Sequence, residues 1–276
     1  LKHVRGAVAH PHNNIRVKYD KNMGLENLIK RAAKDVAKAK KVVALTGAGI
    51  SVESGIAPFR GKGGLWEKFN PEEYAHINAF RRHPEKVWSV LLKDMFEVIK
   101  NAQPNPAHLA LARLEKLGKL HCVITQNVDG LHQKAGNTDV IEFHGTLAWL
   151  VCLDCGKRFK TEEYKVKEMP PRCECGGVLK PDAVFFGEPI PVEALRRSQH
   201  EARTCDVMLV IGTSAVVYPA ASIPSIAKNA GATIIEINPE ATPLTGVVSD
   251  YIIEGNAGEV LPKIVDEVEK LLRAQE

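Results

Sequence analysis

Four of the six cysteines stand in two close pairs, a pattern that is typical of metal sites. Cys152 and Cys155 have two residues between them. Cys173 and Cys175 follow after a gap of seventeen residues, with only Glu174 between them. Four thiolates can surround a tetrahedral Zn²⁺ and leave no coordination position for water or substrate. The spacing therefore predicts a structural zinc rather than a catalytic one, and the alternative is four unrelated thiols.

A glycine loop directly follows the apolar run 42–46 and could bind a pyrophosphate. Gly47, Ala48 and Gly49 would let a ligand approach the backbone, whose amides would face the negative charge. The third glycine of the usual dinucleotide fingerprint is missing, because Val52 stands there, and no lysine follows as in a Walker loop. Alone, the loop is equally consistent with a tight turn.

Polar and small residues also follow three other apolar runs, at 122–125, 207–211 and 233–237. Parallel strands end at the same edge of a sheet, so the residues after these runs should meet in one crevice. They are Gln126, Asn127 and Asp129, then Gly212, Thr213 and Ser214, and then Asn238 and Glu240. Each alone could be a turn former or a solvated loop residue, whereas together they predict a ligand site.

His144 is the best-placed general base among the ten histidines. It follows the apolar run 140–143 and precedes Gly145, so it should stand at the end of a strand. Imidazole titrates near neutral pH and suits proton abstraction. A histidine in such a place is more often structural, so its position alone does not decide its role.

The elements that must position these residues follow from apolar periodicity. Helical spacing predicts helices over 25–40, 108–117 and 260–272, and the apolar runs between them predict strands buried on both faces. Between 151 and 178 the composition changes to cysteine, glycine, proline and charge, which predicts an inserted module. The predicted fold is α/β, a Rossmann-like doubly wound parallel sheet with a small inserted zinc-ribbon domain.

Composition excludes several classes of protein. With 45% apolar and 25% charged residues, the 276-residue chain is not disordered, collagen-like or a coiled coil. A net charge of +4 without a long basic run argues against direct nucleic-acid binding. The charge-free stretch 207–227 contains Pro219 and Pro224, so we expect a strand, a loop and a helix start there rather than a membrane span. Cys122 and Cys205, in or beside apolar runs, should be inert buried thiols.

The first 22 residues show no sustained periodicity, and Met23 stands directly before the first amphipathic pattern. We expect residues 1–22 to be disordered or non-native, with Met23 as the natural start, and residues 23–276 to form one domain with the module at about 151–178. No secretory signal or membrane span is recognisable, and the cysteines suit a metal in a reducing compartment, so the cytoplasm is the expected location.

In combination, these motifs resemble the sirtuins, a family of NAD-dependent protein lysine deacylases. The resemblance covers about residues 25–272 and rests on the order of motifs that are each only modestly specific. They are GAGIS at 47–51, ESGI at 53–56, FRG at 59–61, TQNVDGLH at 125–132, Gly136, HG at 144–145, the four cysteines, PDAVFFGE at 181–188 and GTS at 212–214.

The resemblance implies an NAD-dependent protein deacetylase with NAD as co-substrate and a structural Zn²⁺. An acetylated, or other neutral acylated, lysine of a peptide or protein would enter between the two domains. The products would be free lysine, nicotinamide and O-acyl-ADP-ribose, with His144 as general base and Asn127 as a further catalytic residue. Chromatin proteins are among the expected substrates, whereas membranes and nucleic acids are not expected partners.

The resemblance also implies cofactor and substrate contacts. Cofactor contacts are expected at Gly47, Ala48, Gly49, Glu53, Ile56, Phe59, Arg60, Trp66, Gln126, Asn127, Asp129, Gly212, Thr213, Ser214, Asn238, Glu240 and Ala257. Substrate contacts are expected at Val184, Phe185, Phe186, Gly187 and Glu188, which would pair with the substrate backbone as an added strand.

Two departures from the family pattern matter. Ala57 and Pro58 stand where the family commonly has proline followed by aspartate or threonine, so the cofactor loop should bend differently. Members that prefer succinyl or malonyl groups have a tyrosine and an arginine three residues apart, at positions that fall on Leu91 and Asp94 here. An anionic acyl group would meet an aliphatic group and a carboxylate, so we predict acetyl or longer neutral acyl groups.

Two other functions remain open on the sequence alone. A protein mono-ADP-ribosyltransferase could use the same NAD chemistry, and a noncatalytic NAD-binding zinc protein could share the same motifs. A dehydrogenase is disfavoured, because the third fingerprint glycine is missing.

Overall fold

A computed structural model describes residues 23–61 and 63–274 of the chain. The predicted N-terminal segment, residues 1–22, lies outside the described residues. Within the described ranges, nine strands form two sheets. The strands are β1 (Val42–Thr46), β2 (Leu120–Thr125), β3 (Val140–Glu142), β4 (Gly145–Cys152), β5 (Arg158–Lys160), β6 (Leu179–Ala183), β7 (Val207–Ile211), β8 (Thr233–Asn238) and β9 (Tyr251–Glu254).

Helices pack against both sheets. Over the same ranges the α-helices are α1 (Leu25–Lys38), α2 (Leu65–Lys68), α3 (Pro71–Tyr74), α4 (Ile77–Arg82), α5 (Pro84–Val87), α6 (Lys93–Asn101), α7 (Pro106–Lys116), α8 (Leu131–Ala135), α9 (Val192–Thr204), α10 (Ile223–Asn229) and α11 (Ala257–Arg273). Short 3₁₀ helices span Ala48–Ser54 and Ala220–Ser222, and a π-helical turn, Trp88–Leu92, joins α5 to α6.

The larger sheet is parallel throughout and has the strand order β3-β2-β1-β7-β8-β9. From β1 the chain builds outward first to β2 and β3, and then on the other side to β7, β8 and β9. This is the strand order of doubly wound dinucleotide-binding sheets, which bind ligands at the carboxyl ends where the order reverses. The predicted Rossmann-like doubly wound sheet is confirmed.

Helices cover both faces of this sheet. Helices α1, α7 and α11 pack against one face, and α9 and α10 pack against the other. Every residue of β1 and β7 is therefore buried, which explains why both read as uninterrupted apolar runs rather than as alternating patterns. The two strands form a rigid platform under the residues that follow them.

The predicted element bounds agree closely with the structure, and the differences have local causes. Strands β1 and β7 have the predicted bounds, and β2 begins two residues early, at Leu120. Helix α7 begins at Pro106 rather than His108, because the Asn105 side chain accepts hydrogen bonds from the amides of Ala107 and His108 and so caps the helix.

The smaller sheet is antiparallel, with the order β5-β4-β6. It packs on α4, α5, the π-helical turn and α6 through a separate apolar cluster that includes Phe80, Trp88 and Leu150. The indole Nε1 of Trp88 donates a hydrogen bond to the Leu179 carbonyl at 2.9 Å, which joins the helical segment to β6. The domain bounds 23–276 and 151–178 remain predictions.

The structure also tests the expectation that the chain has no membrane span at 207–227. The charge-free stretch 207–227 forms β7, a loop and the start of α10, as predicted. No helix in the described ranges combines the length and the apolar character that crossing a membrane requires.

Cys122 and Cys205 are both buried, and burial raises the pKa of Cys205 to about 11 and that of Cys122 further, so both thiols stay protonated.

Candidate functional site

A cavity of about 1080 Å³ lies at the carboxyl ends of β1, β2, β7 and β8 and reaches the end of β6. His144 and all five predicted substrate residues line it. So do most predicted cofactor contacts: Gly47, Ala48, Gly49, Glu53, Phe59, Arg60, Trp66, Gln126, Asn127, Gly212, Thr213, Ser214, Asn238, Glu240 and Ala257. Ile56 and Asp129 do not line the cavity. The structure thus brings together nearly all the residues expected to bind ligands.

Two glycine loops meet backbone to backbone at the cavity wall. The Gly47 amide donates to the Ile211 carbonyl at 3.0 Å, and the Gly49 amide donates to the Gly212 carbonyl at 2.8 Å. A Cβ on Gly49 would lie 2.7 Å from Gly212 Cα, and a Cβ on Gly212, whose φ is +59°, would overlap the Ile50 amide nitrogen. Side chains are excluded from this crossing because the opposite backbone fills the space. The amides of Gly47 and Gly49 are used in this contact, so they do not face a ligand, contrary to the prediction from the sequence.

Asn127 is held under the first glycine loop. Its Nδ2 donates to the Gly47 carbonyl and to Ser51 Oγ, each at 3.1 Å, and its backbone amide donates to Thr125 Oγ1 at 3.1 Å. The residue is buried, with 7% exposure. Among the described residues, no donor pairs with its Oδ1 atom. The side chain is therefore immobile and keeps an acceptor for a ligand.

Asp129 does not line the cavity but hydrogen-bonds to Ser51, which in turn holds Asn127. The Ser51 hydroxyl donates to Asp129 Oδ2 at 2.7 Å, and Asp129 Oδ1 accepts from the Leu131 amide at 3.0 Å. The Asn105 amide donates to His108 Nδ1, so His108 carries its proton on Nε2 and directs it toward Ser51 Oγ at 3.5 Å. The serine oxygen thus uses its donor and both lone pairs. Asp129 fixes the wall rather than contacting the cavity.

A second buried histidine continues this polar layer. His132 Nε2 lies 2.9 Å from Thr46 Oγ1, which in turn donates to Thr125 Oγ1 at 2.9 Å. The rings of His132 and His108 meet edge to face, with centroids 4.9 Å apart. Burial lowers the pKa of His108 to about 4 and that of His132 to about 3, so both are neutral at pH 7. These neutral rings support Asn127 without adding charge.

His144 stands between β3 and β4 with a defined tautomer. Its Nδ1 lies 3.1 Å from the Gln126 carbonyl oxygen. A carbonyl only accepts hydrogen bonds, so Nδ1 must carry the proton and Nε2 keeps its lone pair. Burial lowers the pKa of His144, and the hydrogen bond to the Gln126 carbonyl opposes that shift. At neutral pH the imidazole is therefore ready to accept a proton through Nε2.

The cofactor loop joins the glycine loop to α2 and carries an aromatic pair. The amides of Leu65 and Trp66 donate to the carbonyls of Pro58 and Phe59 at 2.9 and 3.0 Å. The Phe59 and Trp66 rings stack with centroids 5.3 Å apart, and Phe186 lies 6.5 Å from Trp66. These aromatic side chains connect the predicted cofactor side of the cavity to its substrate side.

The loop after β8 reaches the predicted adenosine end. Glu236, with 1% exposure, accepts hydrogen bonds from the hydroxyls of Thr242, Thr245 and Ser249. Farther along the wall, Asn238 Nδ2 donates to the Glu240 carbonyl at 2.8 Å. A buried carboxylate with three donors holds this loop in place, and the sequence patterns did not predict that role.

Leu91 lines the cavity, together with Leu92 and Met95. Asp94, paired with Leu91 in the acyl-group argument, is exposed and does not line the cavity. Leu91 therefore offers the aliphatic surface that the acyl-group prediction requires. The carboxylate of Asp94 does not take part in the site, contrary to that prediction.

The four paired cysteines converge as the zinc prediction requires. Their sulfur atoms all lie within 4.8 Å of one another. Cys152 Sγ is 3.5 Å from Cys175 Sγ, and Cys155 Sγ is 3.7 Å from Cys173 Sγ. Sulfurs bound tetrahedrally to zinc at about 2.3 Å are about 3.8 Å apart, so the donors fit Zn²⁺. The cluster stands at the far end of β4, away from the cavity lining.

Sequence patterns missed one group of lining residues. Most of them are apolar side chains with no polar signal of their own: Val52, Leu92, Met95, Val128, Ile190, Val192, Leu195, Val217 and Tyr218. Val128 lies inside the quoted TQNVDGLH motif and Val217 lies three residues after GTS, so only these positions could have indicated them. The helical residues could not be found, because the helices that bear them are brought to the site by tertiary packing.

Comparison with known proteins gives consistent results. The Sir2 family model matches residues 47–219. The NAD-dependent protein deacylase 2 of Pyrobaculum aerophilum is 51% identical over 242 residues, which are 87% of this chain and 96% of that protein. The NAD-dependent protein deacylase 1 of Archaeoglobus fulgidus is 50% identical over 240 residues, which are 87% of this chain and 97% of that protein.

Solved structures agree with the sequence relatives. A Sir2 homologue in complex with NAD superposes with a TM-score of 0.82 at 50% identity, and the match covers 88% of this chain and 94% of that one. Sir2Af2 bound to a myristoylated histone peptide gives a TM-score of 0.75 at 42% identity, covering 91% of this chain and all of that one.

The cysteine geometry predicts one structural zinc per chain. Elemental analysis should find about one zinc in the purified protein. Cys175→Ser should lose most of the metal and lower the thermal midpoint, because the small sheet loses a link that contributes on the order of 10 kcal/mol in small zinc domains. Cys205→Ser, which removes a cysteine outside the cluster, should keep the metal. A Cys175→Ser protein with full zinc content would contradict the assignment.

Proposed function

Since this chain belongs to the Sir2 family, we propose that its cavity binds NAD and an acyl-lysine side chain next to each other. The chain is an NAD-dependent protein deacylase, which acts on acyl-lysine in peptides. One observation carries the assignment of the site: the Nε2 lone pair of His144, on the cavity wall, is left free by the bond between Nδ1 and the Gln126 carbonyl.

Bound NAD would supply an activated ribose carbon, to which the acyl oxygen would bond as the bond to nicotinamide breaks. One water molecule would be consumed as the bond between the acyl carbon and the lysine nitrogen breaks, and the products would be lysine, nicotinamide and O-acyl-ADP-ribose. The two loops that cross at Gly49 and Gly212 line the cavity, and the pyrophosphate would lie against them. His144 would accept the proton of a ribose hydroxyl through Nε2. Asn127, held by Gly47 and Ser51, would orient the nicotinamide side through its Oδ1 atom.

The remaining assignments follow from position. Asn238 and Glu240 would contact the adenosine end, and the 184–188 segment would contact the peptide backbone. Zn²⁺ would hold the small sheet together and take no part in the chemistry, because its four ligands fill the coordination sphere. We propose the cytoplasm as the compartment, since six unpaired thiols suit a reducing environment. Chromatin proteins remain proposed substrates.

The function is tested with an acetyl-lysine peptide, NAD and mass analysis of the products. We expect nicotinamide release with deacylation of the peptide. His144→Ala should reduce turnover by on the order of a hundredfold or more, because the general base is lost, while the Kd for NAD changes little. His200→Ala, which removes an exposed histidine on α9, should keep full activity. Transfer of ADP-ribose to protein, or no nicotinamide release, would overturn the assignment.

Activity should depend on pH in a direction set by His144. Burial lowers the pKa of His144, so the ring stays neutral and competent down to a pH below its usual value of 6.5. We expect kcat/KM to be flat from about pH 7 to 8 and to fall by about tenfold per unit below the lowered pKa, as Nε2 is protonated. A pH–rate profile of the wild type tests this. An inflection above pH 6.5 would contradict it.

Neutral acyl groups should be strongly preferred to dicarboxylic ones. Arg60 is the one lysine or arginine among the described lining residues, and Leu91 and Met95 offer an aliphatic surface. Burying an unpaired carboxylate is costly, so kcat/KM for succinyl-lysine should be about tenfold or more below that for acetyl-lysine. Leu91→Arg should reduce the difference in kcat/KM between acetyl-lysine and succinyl-lysine, whereas Leu91→Ala should not. Equal turnover of both acyl groups by the wild type would refute the prediction.

A further inference from the structure

Lys180 is a buried lysine in β6, with 4% exposure, and no sequence motif singled it out. Its Nζ donates hydrogen bonds to the carbonyls of Pro181 at 2.9 Å and Ala183 at 2.6 Å, and it lies 3.0 Å from Glu188 Oε2. An ammonium group has three protons, and three acceptors surround it here. Lysine is rarely buried unless it is paired in this way, so the arrangement needs an explanation.

The partner carboxylate turns back onto its own segment. Glu188 Oε2 also accepts a hydrogen bond from the Phe185 amide at 2.8 Å, and the Glu188 amide donates to the Phe185 carbonyl at 3.0 Å. The Phe185 ring lies 4.6 Å from Lys180 Nζ, within range of a cation–π contact. Gly187, with a φ of +83°, completes the turn. The Glu188 carboxylate therefore closes the 185–188 turn at the Phe185 amide, and Lys180 holds both that carboxylate and the Ala183 carbonyl that precedes the turn.

The same segment is fixed along its other edge. The Val184 amide donates to the His144 carbonyl at 2.8 Å. The Phe186 amide donates to the Ala75 carbonyl at 2.8 Å, and the Phe186 carbonyl accepts from the Ile77 amide at 3.0 Å. The 184–188 residues follow β6 and are not themselves a regular strand.

These contacts leave a defined set of backbone groups free. Within the part of the chain that the structure describes, the Val184 carbonyl and both the amide and the carbonyl of Gly187 have no backbone partner. Both residues line the cavity. An added strand needs such unpaired groups held at a fixed spacing. A segment outside regular secondary structure can keep that spacing only if other contacts hold it.

We propose that Lys180 and Glu188 are positioning residues for the backbone of the substrate. The ion pair holds the 184–188 segment so that its free groups meet the peptide main chain. The proposal rests on the deacylase function and changes one expectation, because the Glu188 carboxylate serves the enzyme's own segment rather than the substrate. The pair should govern binding of the residues that flank the acyl-lysine, and neither NAD binding nor the acyl-lysine itself.

Two substrates separate this role from a general structural one. An acetyl-lysine within a peptide of about ten residues can pair along the segment, whereas an Nα-blocked acetyl-lysine amide offers almost no main chain. For Lys180→Met we expect the ratio of kcat/KM for peptide over single residue to fall by about tenfold, mainly through the KM for peptide. The KM for NAD should stay within about twofold. Lys180→Arg should restore part of the ratio, because it keeps a positive charge beside the Glu188 carboxylate.

The controls make each outcome decisive. Lys160→Met removes an exposed lysine of the same sheet, paired with Glu163, and should leave the ratio unchanged. Should Lys180→Met fail to fold, Glu188→Gln must lower the same ratio. An equal loss on both substrates, or an unchanged KM for peptide in a folded variant, would overturn the proposal. A wild type that releases no nicotinamide with either substrate would instead refute the deacylase function.

Discussion

The site depends on one close approach between two backbones. Strands β1 and β7 are neighbours at the point where the strand order reverses, and their following loops touch through Gly49 and Gly212 with no side chain between them. Neither loop could keep its path with a Cβ at this crossing. Both strands are buried on both faces, so the loops begin at fully packed strand ends. The cavity forms around that anchored contact.

A layer of hydrogen-bonded polar side chains under the cavity fixes the orientation of Asn127, which lines it. Ser51, Asn127, Asp129 and His108 form one hydrogen-bonded group centred on the Ser51 hydroxyl, in a buried layer where an unpaired polar group is costly. His132 pairs with Thr46 through Nε2, while its buried Nδ1 has no partner among the described residues. Burial keeps both histidines neutral at pH 7, so the layer holds Asn127 without a second titrating group near neutrality. His144 is then left as the neutral base that faces the cavity.

Much of this could be predicted from the sequence, for a physical reason. Strands β1 and β7 are uniformly apolar, so their bounds were evident, and the polar residues after each strand must meet at one edge. The cysteine pairs likewise depend on local spacing. The buried roles of Lys180, Glu236 and His132 were not predicted, although His132 ends the TQNVDGLH motif and Lys180 directly precedes PDAVFFGE. Motif order and apolar spacing do not show which polar side chains tertiary packing buries. Asp129 was expected as a contact because a motif shows that a residue matters but not which way its side chain points.

Strand β4 connects the candidate general base to the cysteine cluster. It begins at Gly145, directly after His144, and ends at Cys152, one of the zinc ligands. Its register with β6 shifts between Gly145 and Leu150, so the first half of the strand is irregular, and the imidazole and the cysteine cluster lie next to its opposite ends. Because β4 is the central strand of the small sheet, one continuous backbone segment places both the proton acceptor and a zinc ligand.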